Sequence, residues 1–153
     1  MSQSYLEYPS AGFFPRIAAM GYDTLILMAI WVLISGIHTA ILGEPSTTEP
    51  SNLQFTLFPF LLAGTFAFYA WFWTHGGQTI GMRAWRLKVV HENLDGTPIT
   101  LLQCAIRMII AMFSLFSFAM GYLWVLVNST SDTWHDTASR TRTIRLPKPS
   151  KKH

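Results

Sequence analysis

The sequence predicts an all-α membrane protein: three transmembrane helices, or four if residues 101–127 fold as a helical hairpin, plus a small cytoplasmic β-hairpin. Three observations predict it. Half of the 153 residues are hydrophobic and only 12% are charged, against about 25% in a typical soluble domain. Three apolar runs, residues 16–42, 55–73 and 101–127, hold most of that hydrophobicity, and about 20 apolar residues suffice for a helix to cross a bilayer. Basic residues gather after the second run and in the tail, as they do on the cytoplasmic side of a membrane.

The length fits one membrane domain, residues 1–153. The net charge of +3 is modest. Its basic residues sit at segment ends and suit anionic lipid headgroups, not nucleic acid. Cys104 is the single cysteine. It excludes an internal disulfide and any multi-cysteine metal site, and reads as a small packed hydrophobe.

Residues 1–15 form a polar and aromatic lead without lysine or arginine before Arg16, so no cleavable signal peptide is expected. The first span carries three ionisable groups, Arg16, Asp23 and His38. "GEPSTTEPSNLQ", residues 43–54, breaks the helix with glycine, proline and serine. The second span is uncharged. Its Ala63, Ala67 and Ala70 make a small-residue stripe where another helix can approach, and Trp71 and Trp73 suit the membrane interface. In "THGGQTIGMRAWRLKVVHENLDGTPIT", residues 74–100, Gln78 to Trp85 predicts a short interfacial helix and Arg86 to Val90 alternates like a strand. Asn93 to Gly96 offers turn chemistry before Thr97 to Thr100, which predicts the hairpin. "TRTIRL", residues 141–146, alternates as well and is a further strand candidate.

Orientation follows from charge. The loop after the first span carries Glu44 and Glu49 and no basic residue. The next carries Arg83, Arg86 and Lys88, which face the cytoplasm and lipid headgroups. The N-terminus is then cytoplasmic, and so is the basic tail, residues 128–153. A single crossing by residues 101–127 would strand that tail outside. Two legs of about 13 residues reach only about 20 Å each, short of a hydrocarbon core of about 30 Å. A segment that enters and returns, turning near Ser114 to Ser117 or at Gly121, satisfies the charges, and a single span satisfies the length.

A carboxylate deep in a span costs several kcal/mol unless it is protonated, paired or wetted. Asp23 lies seven residues beyond Arg16, on nearly the same helical face. Arg107 lies six residues into the third segment, at similar depth. Gln103, Ala111 and Ser114 make a small or polar stripe around it. Asp23 is therefore expected to pair with Arg107 inside the bundle. Asp136 suits a capping or loop-anchoring role, and a cluster with Arg16 is open to it. His135 beside Asp136 lacks the placed nucleophile and oxyanion site that hydrolysis needs, so no enzyme is expected. The five histidines show no zinc-ligand spacing. "GGQTIG" lacks the lysine of a phosphate loop. No metal and no cofactor are expected.

Arg16 and Asp23 in "PRIAAMGYD", with Asp136 in the later "DTWHDTASRT", resemble the RDD family, named for one arginine and two aspartates. "GGQTIGMRAWRLKVV" is similar to that family's glycine-rich segment after its second helix. One departure is "TASRT", where the pattern expects a glycine before the threonine. The resemblance, from about Gly12 to Leu146, implies a multi-pass protein of the bacterial inner membrane. Members are proposed to transport unidentified ligands, some with sodium/proton antiport, while others look like accessory components. Two functions are therefore expected. One is a transporter of ions or small solutes, proton- or sodium-coupled, with a charge network of Arg16, Asp23, Arg107 and Asp136. The other is a non-transporting scaffold or assembly factor. So few helices leave little room for a private pathway, so a homo-oligomer or a membrane-protein partner is expected in either case.

Overall fold

The computed structural model describes residues 5, 7–43, 53–94, 97–117, 123, 124, 126 and 132–148. Helix α1 spans Phe13–Leu42, 30 residues, or about 45 Å at 1.5 Å per residue. It is apolar on every face, yet only 11% of its most apolar stretch is buried. Helix α2, Leu53–His75, is alike, with 6% buried. Helices that are greasy all round and unburied within their own chain fit lipid, not water.

The two helices run antiparallel. Trp31 Nε1 donates to Thr65 Oγ1 at 2.9 Å, and His38 Nε2 meets Thr56 Oγ1 at 3.1 Å. They pack tightly at Gly64, where a Cβ would lie 2.5 Å from Ile34 Cδ1. The expected alanine stripe is not that contact, because Ala63 and Ala67 are exposed and only Ala70 is buried. The smallest side chain, one position off the stripe, admits the neighbour.

Beyond α2, Gly77 turns the chain at φ 71°. Its N–H donates to the Phe72 and Trp73 carbonyls. Helix α3, Ile80–Ala84, follows, capped by the Thr79 hydroxyl accepting from Met82 N. Strand β1 is Leu87–His91. Helix α4, Leu101–Phe116, opens on a capping box of Thr100 and Gln103. Helix α5, Trp134–Ala138, opens on a second box, Thr133 and Asp136, and leads into strand β2, Thr141–Arg145.

Strands β1 and β2 pair antiparallel, Val89 opposite Thr143. The sheet is thus not the local hairpin expected around Asn93 to Gly96. Thr97 to Thr100 form no strand: Pro98 has no N–H to give a ladder, and Thr100 caps α4. The alternation in "TRTIRL" supplies the partner. The N-terminal lead joins this platform: Tyr5 N donates to Leu94 O at 2.8 Å and Ala11 N to Thr143 O at 2.9 Å.

The chain that leaves α4 at Ser117 comes back to the start of α4. Gln103 Nε2 donates to the Ser139 carbonyl at 3.1 Å and to that of Arg140 at 3.4 Å. Trp124 lies 6.2 Å, ring to ring, from Trp134. Helix α4, at 16 residues, is about 24 Å long. It is shorter than a full crossing, and Gly121 of the predicted turn lies outside the described residues.

Candidate functional site

Four charged side chains sit buried where the platform meets the helices. The capping box at Thr133 holds the Asp136 backbone by its N–H at 3.3 Å and turns its carboxylate inward. Asp136 is wholly buried. One oxygen takes Arg16 Nη1 at 2.5 Å, and the other takes Arg107 Nη1 at 2.5 Å and the Thr143 hydroxyl at 3.0 Å. The β2 hydroxyls complete the ring. Arg107 donates to Thr141 Oγ1 through Nη1 and to Thr143 Oγ1 through Nη2. Arg16 Nε donates to the Ala11 carbonyl at 2.9 Å. One carboxylate thereby ties α1, α4, α5 and β2 together.

Burial opposes ionisation of Asp136, but the Arg16 and Arg107 charges outweigh it and hold its carboxyl well below the usual range. Burial pushes the neighbouring His135 down to about 3, with the two arginines reinforcing and Asp136 opposing. The imidazole is neutral at physiological pH, and its Nε2 meets Thr133 Oγ1 at 2.9 Å.

Asp23 does not join this cluster, so the expected Asp23–Arg107 pair is not formed. Its Oδ2 accepts from the Thr79 hydroxyl at 2.5 Å and its Oδ1 from Gly81 N at 2.9 Å. Asp23 and Arg107 both line one cavity, but different elements pack against each. Helix α3 docks its first turn on Asp23, while β2 and α5 occupy the space beside Arg107. Gly81 permits the docking, because a Cβ there would collide with the Ala19 carbonyl and lie 2.9 Å from Asp23 Oδ1.

The expected polar stripe on α4 does face inward. Gln103 bonds the α5–β2 turn, Ser114 is buried, and Ala111 lines a cavity. That cavity, about 550 Å³, lies among α1, α2 and α4 over the platform. Arg16, Asp23, Arg107, His135 and Thr143 line its polar end, and Leu27, Trp31, Phe58, Leu62 and Met112 its apolar length. The Trp73 ring also lines it, with the Arg107 guanidinium 5.0 Å from the ring centroid. Trp73 thus serves the site, where the sequence suggested only an interface anchor.

The headgroup trio divides. Arg83 is exposed, and Arg86 is half-buried. Lys88 donates to Tyr5 Oη at 2.7 Å and lies 4.8 Å from that ring. Cys104 is buried in the apolar core, as its type suggests. Thr79, Gly81, Thr133, Thr141 and Thr143 are site residues that residue type alone did not single out. The Thr133–Asp136 spacing is a capping signature that a scan can find; the β2 hydroxyls carry no such mark.

A family model described as RDD family matches residues 10–140. No curated protein and no solved structure matches the chain.

Proposed function

The chain belongs to the RDD family, and from that premise we propose that it is a multi-pass protein of the bacterial inner membrane that passes a small solute or ion through the cavity among α1, α2 and α4. One observation carries this reading. Asp23 lines that cavity, almost fully buried, with no ion-pair partner among the described residues. A buried carboxylate on a cavity wall, held by neutral donors alone, can take up and release a proton or bind a cation. The N-terminus, the loop after α2 and the tail are cytoplasmic in this reading, and residues 101–127 enter the membrane and return. Arg83 contacts anionic headgroups. A second copy or another membrane protein completes the pathway.

The scaffold reading draws on a different observation. The Arg16–Asp136–Arg107 cluster joins four elements through one carboxylate, as a lock would. Proteoliposomes separate the two. Under the transport reading, Na⁺, K⁺ or Li⁺ collapses an imposed pH gradient with the wild type and not with Asp23→Asn, while both proteins stay folded. Silence from a monodisperse wild type with every ion overturns proton-coupled cation transport and favours the scaffold.

A further inference from the structure

The polar end of the cavity is short of acceptors. Arg107 Nε and Trp73 Nε1 are buried and have no hydrogen-bond partner among the described residues. Both residues line the cavity, and the guanidinium lies 5.0 Å from the indole ring. Each is a donor only, so the group that completes them must accept. Arg107 is 3% exposed, and an unsatisfied buried donor is costly enough to call for a partner. The local charge says what kind. Asp136 neutralises one of the two guanidiniums it bridges, so this three-residue cluster keeps one positive charge beside the orphan donors. The Asp23 carboxylate is turned to Thr79 and Gly81.

The rest of the cavity is greasy. From Arg16 to Trp31 it follows α1 for about 22 Å at 1.5 Å per residue. Its walls there are Leu27 and Trp31 of α1, Phe58 and Leu62 of α2, and Met112 of α4. A volume near 550 Å³ holds on the order of eighteen groups of the size of water, each roughly 30 Å³. That matches one chain of a common fatty acid.

We propose that this cavity binds a single-chain anionic amphiphile, a long-chain carboxylate, with its head on Arg107 and Trp73 and its chain along α1, α2 and α4. The proposal deepens the transport reading by naming the class of solute. It rests on that reading only for movement, not for binding.

The test is binding of tritiated palmitate to the purified full-length protein in maltoside micelles, with unlabelled competitors. Saturable binding is expected, displaced by palmitate at least about tenfold better than by hexadecanol or hexadecylamine, the difference one charged hydrogen bond provides. Trp73→Phe keeps the ring under the guanidinium and removes one donor, so affinity should fall about three- to tenfold. Ala111→Trp fills the cavity one helical turn beyond Arg107 and should abolish saturable binding in a protein that still elutes as a single folded species.

Several results overturn the proposal: no saturable binding to the folded wild type, equal displacement by the alcohol or the amine, or unchanged binding in Ala111→Trp. Tighter competition by a two-chain anionic phospholipid also overturns it and assigns the cavity to bilayer lipid. Palmitate binding without any flux in proteoliposomes leaves this inference standing and removes the transport reading. Cation-driven flux without palmitate binding does the reverse.

Discussion

Asp136 closes a helix cap with its backbone and answers two buried guanidiniums with its side chain. Replacing it by asparagine keeps the shape and removes the charge, which leaves the buried Arg16 and Arg107 without their counter-ion. Breaking a buried pair in this way costs about 3–5 kcal/mol. Asp136→Asn should therefore lower the unfolding free energy in detergent by that order, read by denaturant titration of the intrinsic tryptophans. A loss below about 1 kcal/mol, the range of exposed pairs, would mean that water reaches the cluster. His135 gives the pH dependence. Its folded pKa, about 3, lies below its ordinary value of 6.5. Between those values the unfolded chain binds a proton that the folded protein refuses, so stability falls as pH drops through that window. Asp136, with its folded pKa depressed, is fully stabilising above its ordinary 3.8 and loses that contribution as pH falls further. The melting temperature should thus decline from pH 6.5 towards about 4 in the wild type. His135→Gln should flatten that slope, and an unchanged slope would mean that His135 is protonated in the fold.

At the scale of elements, the five residues of α3 are too few to form a stable helix alone. They are helical because Thr79 caps them and because Asp23 receives the Thr79 hydroxyl and the Gly81 N–H. Gly81→Ala places a methyl group against the Ala19 carbonyl of α1. Such overpacking costs about 1–3 kcal/mol, and undocking of α3 would also free Asp23 from both donors. The expected result is a destabilised protein in which protease cleaves after Arg83 or Arg86, where the wild type resists. Combining Gly81→Ala with Asp23→Ala should cost less than the sum of the single changes, because both break one contact. Strict additivity would show that α3 is held elsewhere.

Across the whole molecule, three distant stretches meet on one platform: the N-terminal lead, the segment after α2, and the α5–β2 tail. Hydrogen bonds between β1 and β2 and between Ala11 and Thr143 require all three to lie on one side of the membrane. In vesicles of known orientation, a membrane-impermeant maleimide should label Glu7→Cys, Thr97→Cys and Lys148→Cys from the same side, in a Cys104→Ala background. Glu44→Cys, just past the far end of α1, should label from the other. Labelling of Lys148→Cys together with Glu44→Cys would mean that residues 101–127 cross once and that the β1–β2 pairing does not form in the membrane.

Much of this was legible in the chain itself. Two apolar runs as long as those of α1 and α2, with almost no charge, have few environments open to them besides lipid. The short α3, the alternating β1 and the inward stripe of Gln103, Ala111 and Ser114 follow from local pattern, because periodicity is a local property. The choice of partners was not legible. Asp23 and Arg107 line one cavity, and sequence spacing gives position along a helix but not what packs beside it. The turn residues after β1 suggested a hairpin, but the pairing strand lies about 50 residues on. The tertiary structure alone decided that Asp136, 120 residues from Arg16, carries the ion pairs and that Asp23 holds α3. Charge pairing acts through space, and only the folded chain settles which opposite charge and which donors come within 3 Å of each other.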